Sequence, residues 1–181
     1  MKSFNQWKSS PIYKAWEHNF TKSKCKILSV KKLGLSAYNN EIKAIFLLVK
    51  FLTPEKVEME RSVVLRYPSV VVVPYVKVNG FFKFLCVKQR RIGLGNCSVE
   101  FPAGAVEHQS DFVQTAIKEL YEETGLIVKQ KHLATLNNNL RLMDSFLSER
   151  VFWFCCDISK CENGSDYVGR KDFSSLTFGA T

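Results

Sequence analysis

The first helical pattern in the chain lies near its N-terminus. After the run Ser9-Ser10-Pro11, an apolar residue recurs every four positions, at Ile12, Trp16 and Phe20. A capping serine followed by proline is a typical helix start, so we predict a short amphipathic helix that begins here.

Strand-like runs of apolar and β-branched residues dominate the following part of the chain. We predict strands over residues 24–35, 41–52, 62–66, 70–78 and 82–89. Asn39-Asn40 and Asn79-Gly80 supply turns between successive strands, and Asn-Gly is the strongest short hairpin signal. Because proline cannot donate to a β-ladder, Pro68 and Pro74 indicate strands at sheet edges or bulges.

A second helical pattern begins in the middle of the chain and ends at Gly125, a residue that suits the left-handed end of a helix. Its apolar stripe consists of Val113, Ala116, Ile117 and Leu120. It is followed by an apolar run at 126–128, a loop at 137–139 and a strand over 151–158. In the tail, residues 161–181, the pattern predicts no closing helix. Strands, a helix and further strands together predict an α+β domain with a mixed sheet.

Three carboxylates share one face of this second helix. Glu119, Glu122 and Glu123 stand at i, i+3 and i+4, where β-carbons lie about 5–6 Å apart and like charges repel by about 0.2–0.5 kcal/mol per pair. Two of them also lie in the last turn, at the negative end of the helix dipole. A solvated charged face is the alternative interpretation, but a bound cation such as Mg²⁺ removes both penalties. We therefore predict a metal site.

The stretch 104–126 resembles the Nudix box. The positions that match are Gly104, Glu119, Leu120, Glu122, Glu123, Gly125 and Leu126. Ser110 stands where the family has its first glutamate, and Lys118 stands where it has an arginine. Those two side chains pair with each other in the family, so their joint replacement concerns the rigidity of the loop; Ser110 is a candidate helix cap instead.

This resemblance implies the Nudix α/β/α sandwich, an α+β fold with a mixed sheet, preceded here by an N-terminal helix and β-hairpin extension. It implies an extension over residues 1–60, expected to mediate a homodimer, and a hydrolase domain over residues 61–181 that is short at its C-terminus.

The surrounding residues resemble one subgroup of that family. Glu100-Phe101-Pro102-Ala103-Gly104 is similar to the ELPAG of ADP-ribose and ADP-sugar pyrophosphatases, and Lys88-Gln89-Arg90-Arg91 is similar to their Q-x-R element. The likeness to plant-type ADP-sugar diphosphatases extends over residues 4–158. It implies hydrolysis of an ADP-ribose or ADP-glucose type substrate to AMP and sugar phosphate, with Mg²⁺ or Mn²⁺.

The resemblance also assigns roles to individual residues. Glu119, Glu122 and Glu123 would be catalytic and, with the backbone carbonyl of Ala103, would bind the metal. Arg90, Arg91 and Gly104 would bind substrate, although a solvated loop pair is the alternative for the two arginines. In relatives an acid/base glutamate follows the last long strand, and here Asp172 is the only carboxylate in the corresponding stretch 168–173. Glu149 is interpreted as a surface ion pair with Arg150.

The net charge and the cysteine pattern indicate the chemical class of the partner and the cellular compartment. A formal net charge of +9 and a pI of 9.3 indicate an anionic partner, either a nucleotide or nucleic acid. None of the six cysteines forms a CxxC pair, which favours a reduced intracellular compartment; we expect the cytoplasm, and the N-terminus leaves an organellar address open. No apolar run is long enough to predict a membrane helix.

Two other functions remain open. One is a catalytically weak Nudix-fold module that binds nucleotide or RNA, favoured by Ser110, Lys118 and the basic charge; the other is hydrolysis of another diphosphate, such as capped RNA. Phe81, Phe82 and Phe84 alternate like core and surface positions, so they resemble an RNA-binding surface only loosely. The enzyme is preferred because a non-catalytic descendant has no reason to keep three clustered carboxylates.

Overall fold

A computed structural model describes residues 4–39, 41–106, 111–143 and 145–168. Its α-helices are α1 (Pro11–Thr21), α2 (Phe112–Thr124) and α3 (Ser165–Val168). Short 3₁₀-helices cover Phe4–Ser9, Ile92–Leu94, Gln130–His132 and Ile158–Lys160. Its strands are β1 (Lys26–Tyr38), β2 (Glu41–Leu52), β3 (Glu58–Arg66), β4 (Ser69–Val78), β5 (Phe81–Phe84), β6 (Val87–Arg91), β7 (Asn96–Glu100), β8 (Ala103–Ala105), β9 (Leu133–Arg141) and β10 (Arg150–Asp157). In this part of the chain, no helix has the length and hydrophobicity needed to cross a membrane.

The chain divides into two compact units. The first consists of Met1–Tyr67 with Arg141–Arg150, and the second of Pro68–Leu140 with Val151–Thr181. The proposed functional division at residues 60 and 61 stays a prediction.

The first unit is a three-stranded antiparallel sheet with β2 in the middle, covered by α1. Ser10 caps α1, because its hydroxyl accepts a hydrogen bond from the Tyr13 N–H at 3.3 Å. Ile12 and Tyr13 of the helix pack on Ile45 and Leu47 of the sheet. The predicted N-terminal helix is therefore confirmed, and its apolar stripe is packing surface.

The second unit contains a five-stranded mixed sheet with the order β5-β4-β10-β9, and β8 also pairs with β4. Strands β4 and β10 are parallel, whereas β5 and β8 run antiparallel to β4. Apolar residues of α2, among them Ala116 and Leu120, pack against Val70, Val72 and Phe154 of the sheet. This arrangement confirms the predicted α+β fold with a mixed sheet.

Pro74 lies in an interior strand, so the sheet edge, one of the two positions predicted for it besides a bulge, is wrong. Parallel pairing with β10 occupies one side of β4, where Pro74 lies opposite Cys156. The other side is shared by two short strands, since β8 pairs with residues 69–71 and β5 with residues 75–78. Pro74 falls in the gap between them, where the missing N–H breaks no ladder bond.

Two further predictions about the second unit need correction. The predicted strand 82–89 is two strands, because the chain leaves β5 at Leu85, whose N–H donates to the Pro74 carbonyl at 3.0 Å. The predicted loop 137–139 lies within β9, where pairing beside β10 overrides the turn preference of asparagine. The tail, in which we predicted no closing helix, contains the four-residue helix α3 in its described part, and residues 169–181 lie outside the described residues.

Candidate active site

The N-terminus of α2 is fixed by a single aspartate. Asp111 Oδ1 accepts hydrogen bonds from the N–H groups of Val113 at 2.6 Å and Gln114 at 3.2 Å. This is the side-chain cap that a helix start requires. The cap that we considered for Ser110 is thus supplied by Asp111, whereas Ser110 and His108 lie outside the described residues.

The C-terminus of α2 ends as predicted and is then clamped by a distant segment. Gly125 has φ 76° and donates its N–H to the Tyr121 carbonyl at 2.7 Å. Tyr167 donates its buried hydroxyl to the Thr124 carbonyl at 2.6 Å. Asn163 donates to the Gly125 carbonyl at 2.8 Å and accepts from the Ile127 N–H at 3.0 Å. These bonds hold the turn that carries Glu122 and Glu123.

This clamp was missed in the sequence. The Asn163-Gly164 dipeptide marks a turn, which is the only local signal there. What that turn contacts depends on chain folding over 36 to 43 residues of separation.

Glu119 lies directly against the backbone of β8. A Cβ atom placed on Gly104 would overlap the carboxylate of Glu119, since both carboxylate oxygens and the carboxyl carbon occupy that space. Any side chain at position 104 would therefore displace the carboxylate. The glycine of the motif is explained by this close approach.

Glu123 is half-buried and meets the same strand. Its Oε1 accepts a hydrogen bond from Gln89 Nε2 at 2.5 Å, and its Oε2 accepts one from the Ala103 N–H at 3.1 Å. Burial raises the pKa of Glu123, while the hydrogen bonds from Ala103 and Gln89 and the charge of Arg91 oppose that rise. The two helix carboxylates thus converge on residues 103–104.

Glu122 faces solvent instead. Its carboxylate forms an ion pair with Lys118 Nζ at 3.6 Å, one turn earlier on the same helix. An exposed pair of this kind contributes little to stability. Lys118, which stands where the family has an arginine, therefore pairs within the helix.

Arg91 is held beside the site by Glu100. The Arg91 Nε lies 2.9 Å and 3.0 Å from the two carboxylate oxygens of Glu100, and the Nη2 group also donates to one of them. This bidentate pair holds the pKa of Glu100 below its usual range. Both residues lie on the β6-β7 hairpin. The sequence did not reveal this role for Glu100.

Arg90 is not brought to the carboxylates. Successive side chains of a strand point to opposite faces, so Gln89 and Arg91 share the face that meets Glu123 and Arg90 points away. The sequence pattern placed both arginines in a loop, where no such alternation is expected. The opposite directions of Arg90 and Arg91 follow only because both residues lie in the strand β6.

The remaining predicted residues have separate outcomes. Asp172 lies outside the described residues. Glu149 is buried in the first unit and pairs with Arg66 at 3.2 Å, so the predicted surface pair with Arg150 is not the arrangement that the structure shows. Within the described ranges, no three His, Cys, Asp or Glu side chains form a group that could hold a metal ion.

Comparison with known proteins identifies the family of this domain. The NUDIX domain model matches residues 65–165. An uncharacterised Nudix hydrolase of Schizosaccharomyces pombe is 37% identical over 59 residues, which are 33% of this chain and 29% of that protein. Nudix hydrolase 14, chloroplastic, of Arabidopsis thaliana is 30% identical over 88 residues, 48% of this chain and 28% of that protein. The matches therefore span less than a third of either relative.

A solved structure shares the fold. The crystal structure of an ADP compounds hydrolase superposes with a TM-score of 0.57 at 16% identity, over 74% of this chain and 66% of that chain. At this identity the likeness establishes the fold alone.

Replacing Tyr167 by phenylalanine tests the clamp on α2. The Thr124 carbonyl loses its buried donor, so we expect Tyr167→Phe to lower the free energy of unfolding by about 1–3 kcal/mol. Tyr121→Phe removes an exposed hydroxyl from the same helix and is expected to change it by less than about 0.5 kcal/mol. Urea titration followed by circular dichroism measures both; equal losses would contradict the clamp.

The Arg91–Glu100 pair can be tested by titration. Because the hydrogen bond from Arg91 is the main cause that lowers the pKa of Glu100, we expect Arg91→Gln to raise that pKa. Carboxyl carbon NMR across an acid titration measures it, with Glu100→Gln to assign the resonance. Lys88→Gln removes an exposed charge from the same strand and serves as the control. An unchanged pKa in Arg91→Gln would show that the pair does not form in solution.

Proposed function

Because the chain belongs to the Nudix family, whose hydrolases act on diphosphates, we propose that it hydrolyses a nucleoside diphosphate-sugar of the ADP-ribose or ADP-glucose type. The products would be AMP and a sugar phosphate. One observation carries the proposal: Glu119 and Glu123 converge on the backbone of residues 103–104 with Arg91 beside them. The fold neighbour that acts on ADP compounds agrees with an ADP-containing substrate.

The donor set suits a hard divalent cation, Mg²⁺ or Mn²⁺. Carboxylate and carbonyl oxygens are the ligands that such ions prefer. The carboxylate of Glu119 fills the space that a Cβ at position 104 would need, which places it next to the backbone of residues 103–104. We propose Glu119, Glu123 and the Ala103 carbonyl as the principal ligands, with Glu122, which faces solvent beside Lys118, supporting the ion directly or through water. A bound ion supplies neutralisation of phosphate charge and activation of the attacking water.

The other residues of the site have three roles: they bind the substrate phosphate, orient a carboxylate and transfer protons. The guanidinium fork of Arg91 matches a phosphate in geometry and charge, and Glu100 holds it in place until substrate arrives. Gln89 orients Glu123 by donating to one of its oxygens. Glu122, which reaches solvent, can accept the proton of the attacking water. We keep Gly104 as a proposed substrate contact and Asp172 as the proposed acid/base, whereas Arg90, which points away from the carboxylates, would contact only a part of the substrate that extends beyond them.

The assembly and compartment are part of the same proposal. The extension over residues 1–60 would mediate a homodimer. The cytoplasm is the proposed location, and the chloroplastic name of the Arabidopsis relative makes an organelle the alternative.

A second candidate function is a Nudix-fold module that binds nucleotide or RNA with little turnover. Glu122 is paired with Lys118 and exposed, and the described residues contain no group of three side chains that could hold a metal. Turnover measurements separate the two candidates.

Phosphate release from a substrate panel tests the enzyme directly. ADP-ribose, ADP-glucose, UDP-glucose, NADH and a capped RNA are incubated with Mg²⁺ or Mn²⁺ and coupled to a phosphatase. We expect turnover of an ADP-sugar, lowered at least about 100-fold in Glu119→Gln, since even groups behind a metal ligand typically contribute 10–100-fold. Glu60→Gln, an exposed change in the first unit, should retain the wild-type rate. Absence of turnover on every compound, with nucleotide binding retained, would favour the binding module.

The close approach at Gly104 is tested by adding one methyl group. In Gly104→Ala the new Cβ displaces the Glu119 carboxylate, so we expect kcat to fall by more than about tenfold while the fold persists, because only the far end of a flexible side chain must move. Gly93→Ala places a Cβ in open space without a positive φ and is the matched control. Wild-type rates in Gly104→Ala would show that the position of Glu119 does not matter for turnover.

A further inference from the structure

Every aromatic side chain of strand β5 is exposed. The exposed fractions are 76% for Phe81, 59% for Phe82 and 47% for Phe84. Our prediction that these residues alternate between core and surface is therefore wrong. The physical reason is the position of β5, which is the last strand of the order β5-β4-β10-β9. Large apolar groups that remain in solvent on an edge strand indicate an interaction surface.

Four of the side chains lie on one face of the β4-β5 hairpin. Tyr75 is paired with Phe84 and Lys77 with Phe82, and paired residues of an antiparallel ladder share a face. We call this set, Tyr75, Lys77, Phe82 and Phe84, the aromatic face. Phe81 and Lys83 project from the other side of the same hairpin.

Contacts within the aromatic face set the orientation of its rings. The ring centroids of Tyr75 and Phe82 are 5.7 Å apart in an edge-to-face arrangement, and those of Phe84 and Phe101 are 6.1 Å apart. Lys77 Nζ lies 5.7 Å from the centroid of the Phe82 ring. The rings are thus supported from the side, and a positive charge lies over one of them.

The hairpin that carries the aromatic face is basic. The sequence has no Asp or Glu between residues 61 and 99, and the charged residues of the β4-β5 hairpin are Lys77 and Lys83. One acidic neighbour of the aromatic face is Asp157, which lies opposite Tyr75 on β10. Its Oδ1 accepts hydrogen bonds from the N–H and hydroxyl of Ser159 at 3.0 Å and 2.7 Å. Asp157 therefore bounds the surface on one side.

We propose that the aromatic face binds single-stranded nucleic acid. Bases stack on Phe82 and Phe84, and Lys77, which lies on the same face, contacts a phosphate. Unstacked bases offer flat faces to aromatic rings whatever their sequence, and lysines that neutralise phosphates release counterions. The proposal is independent of the proposed hydrolase activity, because it uses none of the residues of that site.

Charge also argues against a second copy of the chain as the occupant. Two β5 edges that paired with each other would bring Lys83 of one copy near Lys83 of the other. Lysine on an edge strand discourages such pairing. The bases of a single-stranded nucleic acid can stack on the phenylalanine rings, and its phosphates can pair with the lysine charge.

Fluorescence anisotropy with a labelled oligouridine tests the proposal. The full chain is titrated at low salt in EDTA, with an oligomer that lacks terminal phosphates, so that a metal-dependent diphosphate site does not contribute. We expect Phe82→Ser and Phe84→Ser each to weaken binding about tenfold, within the range measured for the loss of one stacked base. Phe82→Tyr keeps a ring and should bind as the wild type does. Phe46→Ser, an exposed phenylalanine of the first unit, should also be unchanged.

The lysines give a second readout. Lys77→Gln should reduce the slope of log affinity against log salt by about 0.7, the value for one phosphate contact on a single strand. Lys26→Gln removes an equal charge from β1 and should leave the slope unchanged. If the serine variants fail to fold, as judged by thermal unfolding, the comparison of the salt slopes of Lys77→Gln and Lys26→Gln decides whether the proposal holds.

Three results would overturn the proposal. The first is no binding of the oligomer at low salt. The second is equal loss of binding in Phe46→Ser and Phe82→Ser. The third is self-association in analytical ultracentrifugation that Phe82→Ser abolishes, which would assign the aromatic face to a second copy of the chain.

Discussion

The contact between helix α2 and the short strand β8 is the constraint on which the candidate site depends. The Glu119 carboxylate occupies the space that a side chain at position 104 would need, and the Ala103 N–H donates to Glu123 one turn later. Two carboxylates are thereby fixed against the same two peptide groups. This approach is possible only because Asp111 fixes where the helix begins and because Asn163 and Tyr167 fix where it ends.

The electrostatics of the site follow from that contact. Burial against β8 raises the pKa of Glu123, and donors from Gln89 and Ala103 compensate in part. Arg91 contributes positive charge beside the carboxylates, but Glu100 holds its guanidinium with a bidentate pair. The carboxylates of such a site attract cations, and the guanidinium that we propose as the diphosphate contact lies beside them, paired with Glu100.

Strand β4 connects the two surfaces to which we assign functions. On the side of β4 that faces away from β10, residues 69–71 pair with β8, which carries Gly104. Residues 75–78 on the same side pair with β5, which carries the exposed phenylalanines. Pro74 separates the two halves without breaking a hydrogen bond. The same strand therefore places the carboxylate site at one end and the aromatic face at the other, and its buried side chains tie both to α2.

Local sequence determined the features that depend on nearest neighbours along the chain. The Ser10-Pro11 helix start, the apolar stripe of α2, its end at Gly125 and the spacing of its glutamates could all be read directly, because each involves residues within about one or two helical turns. The spacing predicted one shared face for three glutamates, but only Glu119 and Glu123, at i and i+4, meet residues 103–104, whereas Glu122, at i+3, faces solvent. The division between residues 1–60 and 61–181 stays a prediction.

Tertiary structure decided which partners these residues meet. Gln89 reaches Glu123 across 34 positions and Tyr167 reaches Thr124 across 43, and no periodicity encodes such pairs. Asn137 lies in a strand because β10 offers hydrogen bonds beside it, and Phe82 is exposed because β5 is the last strand of its sheet. The physical reason is the same in each case: pattern and propensity specify which face a side chain takes on its own element, whereas burial and hydrogen bonding depend on the element that packs against it.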